Sequence, residues 1–216
     1  MKIKMLLLSL LIVGCLSFLL FTESGRNALK VFKNLAGSFV EYAREVWRER
    51  PKMNITLSTD VMTVDQEFLI NSRLKVKGIY EKFKLNDISV TTPAKKVSLE
   101  CHLDGRTKFQ QGKLLIEGKS SSITYNNISV FSKDGISLSL SIIPETLEID
   151  KVKEDRILLK AATGSIRRTD EKEVVVEFSS QEVEIRNFEG NVKVVGRIIE
   201  FSGISGGVKG ADFKLE

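Results

Sequence analysis

The residues best equipped for chemistry are few. His102 is the chain's one histidine and sits next to Cys101, and such a pair is raw material for a thiol nucleophile or a zinc site. Yet Val97-x-Leu99-x-Cys101-x-Leu103 alternates apolar with polar residues, which predicts a strand with Cys101 turned to the core and His102 to solvent. The other cysteine, Cys15, lies inside an apolar N-terminal run, so neither an internal disulfide nor a Cys/His zinc set is expected. Ser120-Ser121-Ser122 lacks the G-x-S-x-G frame of a nucleophile elbow. The glycine-rich stretch from Gly203 to Gly210 lacks the spacing and following helix of a phosphate loop. The carboxylate pairs Glu154-Asp155 and Asp170-Glu171 read as turn residues that aid solubility. These residues point to no catalytic site, no metal and no cofactor, and an enzyme is not expected. A glycan- or lipid-modifying activity would have to rest on His102.

The elements that would position any site begin with Met5 to Phe21, an unbroken apolar run of 17 residues behind Lys2 and Lys4. As a helix it is about 26 Å long, close to the ~30 Å of a bilayer's hydrocarbon core. Residues 1–22 are expected to be a retained signal anchor, because the run is long for a signal peptide and no A-x-A-like site follows it. A cleaved signal is the second reading. A lipoprotein signal at Ile12-Val13-Gly14-Cys15 is the third, opposed by the apolar residues Leu16 to Phe21. Each exports the rest of the chain, with the lysines holding the N-terminus inside. Residues 23–52 read as an amphipathic helix: Ala28, Leu29, Phe32, Leu35, Ala36, Phe39, Ala43 and Val46 recur at three- and four-residue steps before Pro51.

From 53 to 216 the signal is β throughout. Phe68-x-Ile70, Leu74-x-Val76 and Val174-x-Val176-x-Phe178 alternate, with turns expected at Asp104-Gly105, Lys133-Asp134-Gly135, Thr169 to Lys172 and Gly206-Gly207. A short signature recurs: apolar, any, apolar, two polar or turn-prone residues, apolar. It reads Phe83 to Ile88, Ile123 to Ile128, Leu147 to Val152, Val183 to Phe188 and Ile199 to Ile204. The extra residue breaks the period of two, so each copy predicts a bulge or corner after which the last apolar side chain points inward again. A longer repeat aligns Leu74 to Val90 with Leu114 to Val130, matching Gly78 to Gly118, and Val194-Val195-Gly196 repeats it in shorter form. The net charge of +5 is modest and both signs are interspersed. That argues against nucleic acid as a partner and leaves room for weak attraction to anionic lipid.

In the C-terminal half, Leu159 to Gly164, Phe188-Glu189-Gly190-Asn191-Val192-Lys193-Val194 and Val208 to Phe213 resemble strand motifs of the LptC/LptA (OstA-like) lipopolysaccharide-export family. With the N-terminal anchor, the layout is most similar to the LptC branch. The repeat with Gly78 and Gly118 also resembles AsmA-like lipid-transfer proteins. The resemblance implies a mainly β fold, a curved antiparallel β-jellyroll or β-taco groove. It implies a single-pass inner-membrane protein with its bulk in the periplasm. It implies passage of an amphipathic lipid, lipopolysaccharide or similar, along an apolar groove to another β-jellyroll protein. Expected groove residues are Phe68, Ile70, Leu74, Val76, Leu114, Ile116, Val174, Val176, Phe178, Val183, Ile185 and Phe201. Gly207 to Leu215 is expected to be an edge strand for the partner, with Val208, Phe213 and Leu215 on it. The rival is an envelope scaffold whose closed β core holds no lipid.

Overall fold

The computed structural model describes residues 52–170 and 172–216, so the expected anchor and amphipathic helix lie outside the described residues. Pro51–Glu216 forms a compact unit by itself. As the alternation predicts, it is built from antiparallel strands. These are β1 (Met53–Asp60), β2 (Gln66–Leu85), β3 (Ile88–Ser89), β4 (Lys96–Gln110), β5 (Lys113–Tyr125), β6 (Ile128–Arg168), β7 (Val174–Val195), β8 (Ile198–Ser205), β9 (Gly207–Lys209) and β10 (Lys214–Leu215). Single 3-10 turns at Val61–Thr63 and Pro93–Lys95 are the only helical pieces among the described residues.

The strands form one sheet ordered β10-β9-β7-β8-β1-β6-β5-β4-β2-β3, with β6 pairing β7 and β2 as well. Those extra pairings close two circuits. In the first, Ile70 of β2 pairs Gly105 of β4, Gly118 of β5 pairs Gly105 and Leu138 of β6, and Leu138 returns to Leu85 of β2. In the second, Leu147 of β6 pairs Val194 of β7, which pairs Ile199 of β8. Ile199 pairs Thr59 of β1, and Thr59 returns to Gly164 of β6. Strand β6, 41 residues long, belongs to both circuits and ties them into one body. Long strands that meet their own sheet again must bend, and they bend where the backbone can pass close to its neighbour.

Glycine supplies that passage in pairs. Gly105 faces Gly118 across β4 and β5, and Gly190 faces Gly203 across β7 and β8. A Cβ on Gly105 would lie 2.2 Å from the Glu117 carbonyl oxygen, and one on Gly190 would lie 2.3 Å from that of Ser202. Asp104-Gly105 is therefore not the expected turn; it lies inside β4, where the glycine serves close approach instead of reversal. Likewise Lys133-Asp134-Gly135 lies within β6, in the excursion between Phe131 and Ile136 that absorbs a register shift against β5. Glu154-Asp155, expected in a turn, also sits inside β6. The pairing that does end at a reversal is β6 with β7, around Thr169 and Asp170.

The recurrent signature does not bend the chain everywhere. At Ile199 to Ile204, contrary to expectation, the register against β1 and β7 runs on without a bulge, and Ile204 aligns with exposed Asn54. Where the signature does bend the chain, it does two different jobs. At Asn86-Asp87 and Asn126-Asn127 it is a two-residue hairpin turn, with left-handed backbone at Asn86, Asn126 and Asn127. At Leu147 to Val152 it is a bulge in β6, with Lys151 left-handed at φ 56° and a register shift between Ile149 and Val152. The 40-residue repeat maps onto equivalent structure: β2 and β5 each carry a close-approach glycine, Gly78 or Gly118, and each ends in an asparagine turn. The third, shorter match does not. Gly196 stands in the β7–β8 turn with open space around it, not inside a strand.

Candidate functional site

Since no catalytic grouping was expected, the candidate site is the apolar inner face. Ten of the twelve expected groove residues are buried: Phe68, Ile70, Leu74, Val76, Leu114, Ile116, Phe178, Val183, Ile185 and Phe201. They belong to one cluster running the length of the body. Phe68 meets Phe109 edge-on at 6.0 Å between ring centres, and Phe201 meets Phe188 at 5.9 Å. Those two pairs join neighbouring strands. Phe68 of β2 also meets Phe201 of β8, a strand it does not pair with, at 6.4 Å, so side chains from the two circuits fill the middle of the interior. The surface hollows lie at the corners instead. One of 580 Å³ sits over Gly105 and Gly118, between Leu69 and Arg106, and one of 510 Å³ sits over Gly164 beside Phe178.

Val174 and Val176 depart from the expectation. Val174 is 37% exposed and Val176 is half-buried. Both keep the inward alternation, since Val176 pairs with buried Ile166, but they stand where β7 outruns its cover at the β6–β7 turn. This end is closed by other means. Arg168 donates to the Asp170 carboxylate and to the Glu216 carbonyl, and Phe213 lies 6.0 Å from Phe178. The expected partner strand is part of that closure. Val208 is buried between Ile185 and Leu215, whereas Phe213 and Leu215 are half-buried against the core, and β10 forms the outer edge of the sheet.

The opposite end is not closed among the described residues. Inner-face positions there are Val90, Tyr125 and Val130, all half-buried, then Ile88 and Ile128, which are 71% and 53% exposed. Register fixes their direction. Ile88 pairs with Leu85, Ile128 with Tyr125, and Val130 with buried Ile123. Phe83 and Tyr125 meet edge-on at 5.6 Å, joining the two hairpins across the interior. Beyond that contact, β3 and residues 128–131 of β6 each have a ladder partner on one side only among the described residues. Sequence reasoning missed this rim because the signature promised that Ile88 and Ile128 would point inward and be covered. They do point inward, but each starts the return strand of a hairpin, past the last facing residue of the other wall.

Among the described residues, the titratable and nucleophilic groups singled out in the sequence stand apart from one another. His102 is exposed, its Nε2 lying 2.9 Å from Asn71 Oδ1. Cys101 points the other way into the core, where burial pushes its thiol up to about 12. The Ser120 hydroxyl donates to the Ser122 carbonyl, so it is spent on its own turn. Among the described residues, no three His, Cys, Asp or Glu side chains gather as metal ligands do. Outward-facing charges form cross-strand pairs such as Arg73–Glu100, Arg106–Glu117 and Lys153–Glu189. The hydrogen bond from Arg186 holds Glu184 below the usual carboxylate range, and that from Lys153 does the same for Glu189. Pairs this exposed stabilise little individually and chiefly keep the outer face wet. Burial raises Glu154 instead, against a hydrogen bond that it accepts from the Leu69 backbone.

No family model matches the chain, and neither a curated protein nor a solved structure is similar enough to it to count as a match.

Proposed function

We propose that the chain is a membrane-anchored periplasmic lipid-transport protein, a β-jellyroll of the lipopolysaccharide-export kind, that takes an amphipathic lipid by its acyl part. The single observation carrying this reading is the apolar inner face left uncovered at Ile88, Val90, Tyr125, Ile128 and Val130. Each methylene buried there would contribute about 0.8 kcal/mol, so one acyl chain laid along the rim gains enough to leave water. Because side chains fill the middle, the lipid is held at the rim and handed on from it unless the walls part. The edge strand β10 offers unpaired backbone groups to a second β-jellyroll.

A second reading is favoured by the filled interior itself: an envelope scaffold with a closed core and no cargo. Photo-cross-linkers at Ile128 and at Val176, in cells with active lipid export, separate the two. Lipid adducts at Ile128 and none at Val176 are the expected result. Adducts at both mean that the walls part and lipid passes through. Adducts at neither, with the protein folded, leave the scaffold.

A further inference from the structure

The uncovered rim has a second property that holding a lipid does not require. Phe131 is 74% exposed and aligns with Ser122, so it faces outward, while Ile128 on the same strand aligns with Tyr125 and faces inward. A strand end that is apolar on both faces does not suit a partner that covers one side. It suits a medium that surrounds it. The turn asparagines agree with this. Asn126 accepts from the Ser98 backbone and donates to the Lys96 carbonyl, and Asn86 accepts from the Ser137 backbone. These bonded groups, both ends of the Asn126 amide and the carbonyl of Asn86, cost less to take out of water than free amides would.

Charge selects the surface. Lys84, Lys95 and Lys133 lie on these hairpins and their connection, are exposed, and have no ion pair among the described residues. They outnumber the two carboxylates of the rim, Asp87 and Asp134. Lysines without an ion pair among the described residues also stand elsewhere, Lys119 and Lys160 among them, but at the rim they accompany the exposed apolar residues Ile88, Ile128 and Phe131. We propose that this end of the β body docks on an anionic lipid bilayer, with Ile88, Ile128 and Phe131 in the interfacial layer and the three lysines at the headgroups. The proposal deepens the reading above and rests on the same rim, but it does not need a lipid bound inside the protein.

The test uses the full chain reconstituted in vesicles, with Cys15→Ser and an environment-sensitive NBD label on Phe131→Cys or, as control, on Val195→Cys. Buried Cys101 stays unlabelled. In vesicles containing phosphatidylglycerol, the label at Phe131→Cys is expected to shift to the blue. Its quenching by doxyl lipid should be about twofold stronger than at Val195→Cys, since interfacial elements sit about 5–10 Å deep. Lys84→Glu with Lys133→Glu should abolish that difference. Equal, water-like emission at both positions overturns the proposal. So does a blue shift at Phe131→Cys that resists doxyl quenching, which marks a protein contact. If docking fails while lipid adducts at Ile128 persist, the transport reading survives alone. If docking succeeds and the adducts at Ile128 form equally when lipid export is blocked, only that reading falls.

Discussion

Thr107 and Ser72 are buried on the inner face with hydroxyls that find no hydrogen-bond partner among the described residues. Thr107 is flanked in register by Phe68 and Ile116, so its oxygen faces hydrocarbon. A buried hydroxyl without a partner costs about 1–3 kcal/mol, and an apolar group of the same shape escapes that cost. Thr107→Val is therefore expected to stabilise the protein by about 1 kcal/mol. A higher midpoint in urea at unchanged slope would show it; a lower midpoint would mean that the hydroxyl is satisfied, for instance by internal water. Cys101, equally buried, gives no such gain on substitution, because a protonated thiol already behaves as a small apolar group.

At the scale of elements, the paired glycines decide where strands may bend. Gly190→Ala forces a methyl against the Ser202 carbonyl, backbone on backbone, and neither strand can retreat without losing its ladder. A loss of about 3 kcal/mol or more is expected. Gly196→Ala meets nothing within 4 Å and suffers only from its left-handed φ of 59°, so it should cost about 1 kcal/mol. Thermal or urea denaturation of the two variants compares them directly, and equal losses would refute the close-approach account. The same contrast explains what the sequence could and could not reveal. Alternation such as Val97 to Leu103 was legible because one buried face imposes a period of two. The equivalence of Gly78 and Gly118 was legible because two strands solve one crowding problem in the same way. Asp104-Gly105 misled because the dipeptide is a strong local turn signal, whereas its glycine answers to Gly118, a residue of another strand. The exposure of Ile88, Ile128 and Val174 was hidden for a related reason. Alternation tells which way a side chain points, but cover comes from the opposite wall, and no local pattern records where that wall stops.

For the whole molecule, two closed circuits with a shared β6 mean that the middle of the body has no free edge from which to open, whereas the rim has two. Opening the rim exposes few apolar contacts: Val90, Tyr125 and Val130 are already half-wet, and β3 is held by two residue pairs. Opening the middle strips Leu147, Ile157, Val183, Ile185 and Phe201 together, which amounts to global unfolding. Native-state hydrogen exchange should therefore divide the chain. Backbone amides of Val183, Ile185 and Val194 are expected to exchange only with the global free energy and to share its denaturant slope. Those of Ser89, Val90 and Val130 should exchange through local openings with little dependence on denaturant. A transport protein that passes lipid along its whole interior needs another pattern, in which the middle of β7 opens sub-globally while the glycine-paired corners stay protected. If Val183 and Ile185 exchange well below the global free energy, the walls part in the native state and the rim is only an entrance. If they do not, whatever this body binds is bound at its uncovered end.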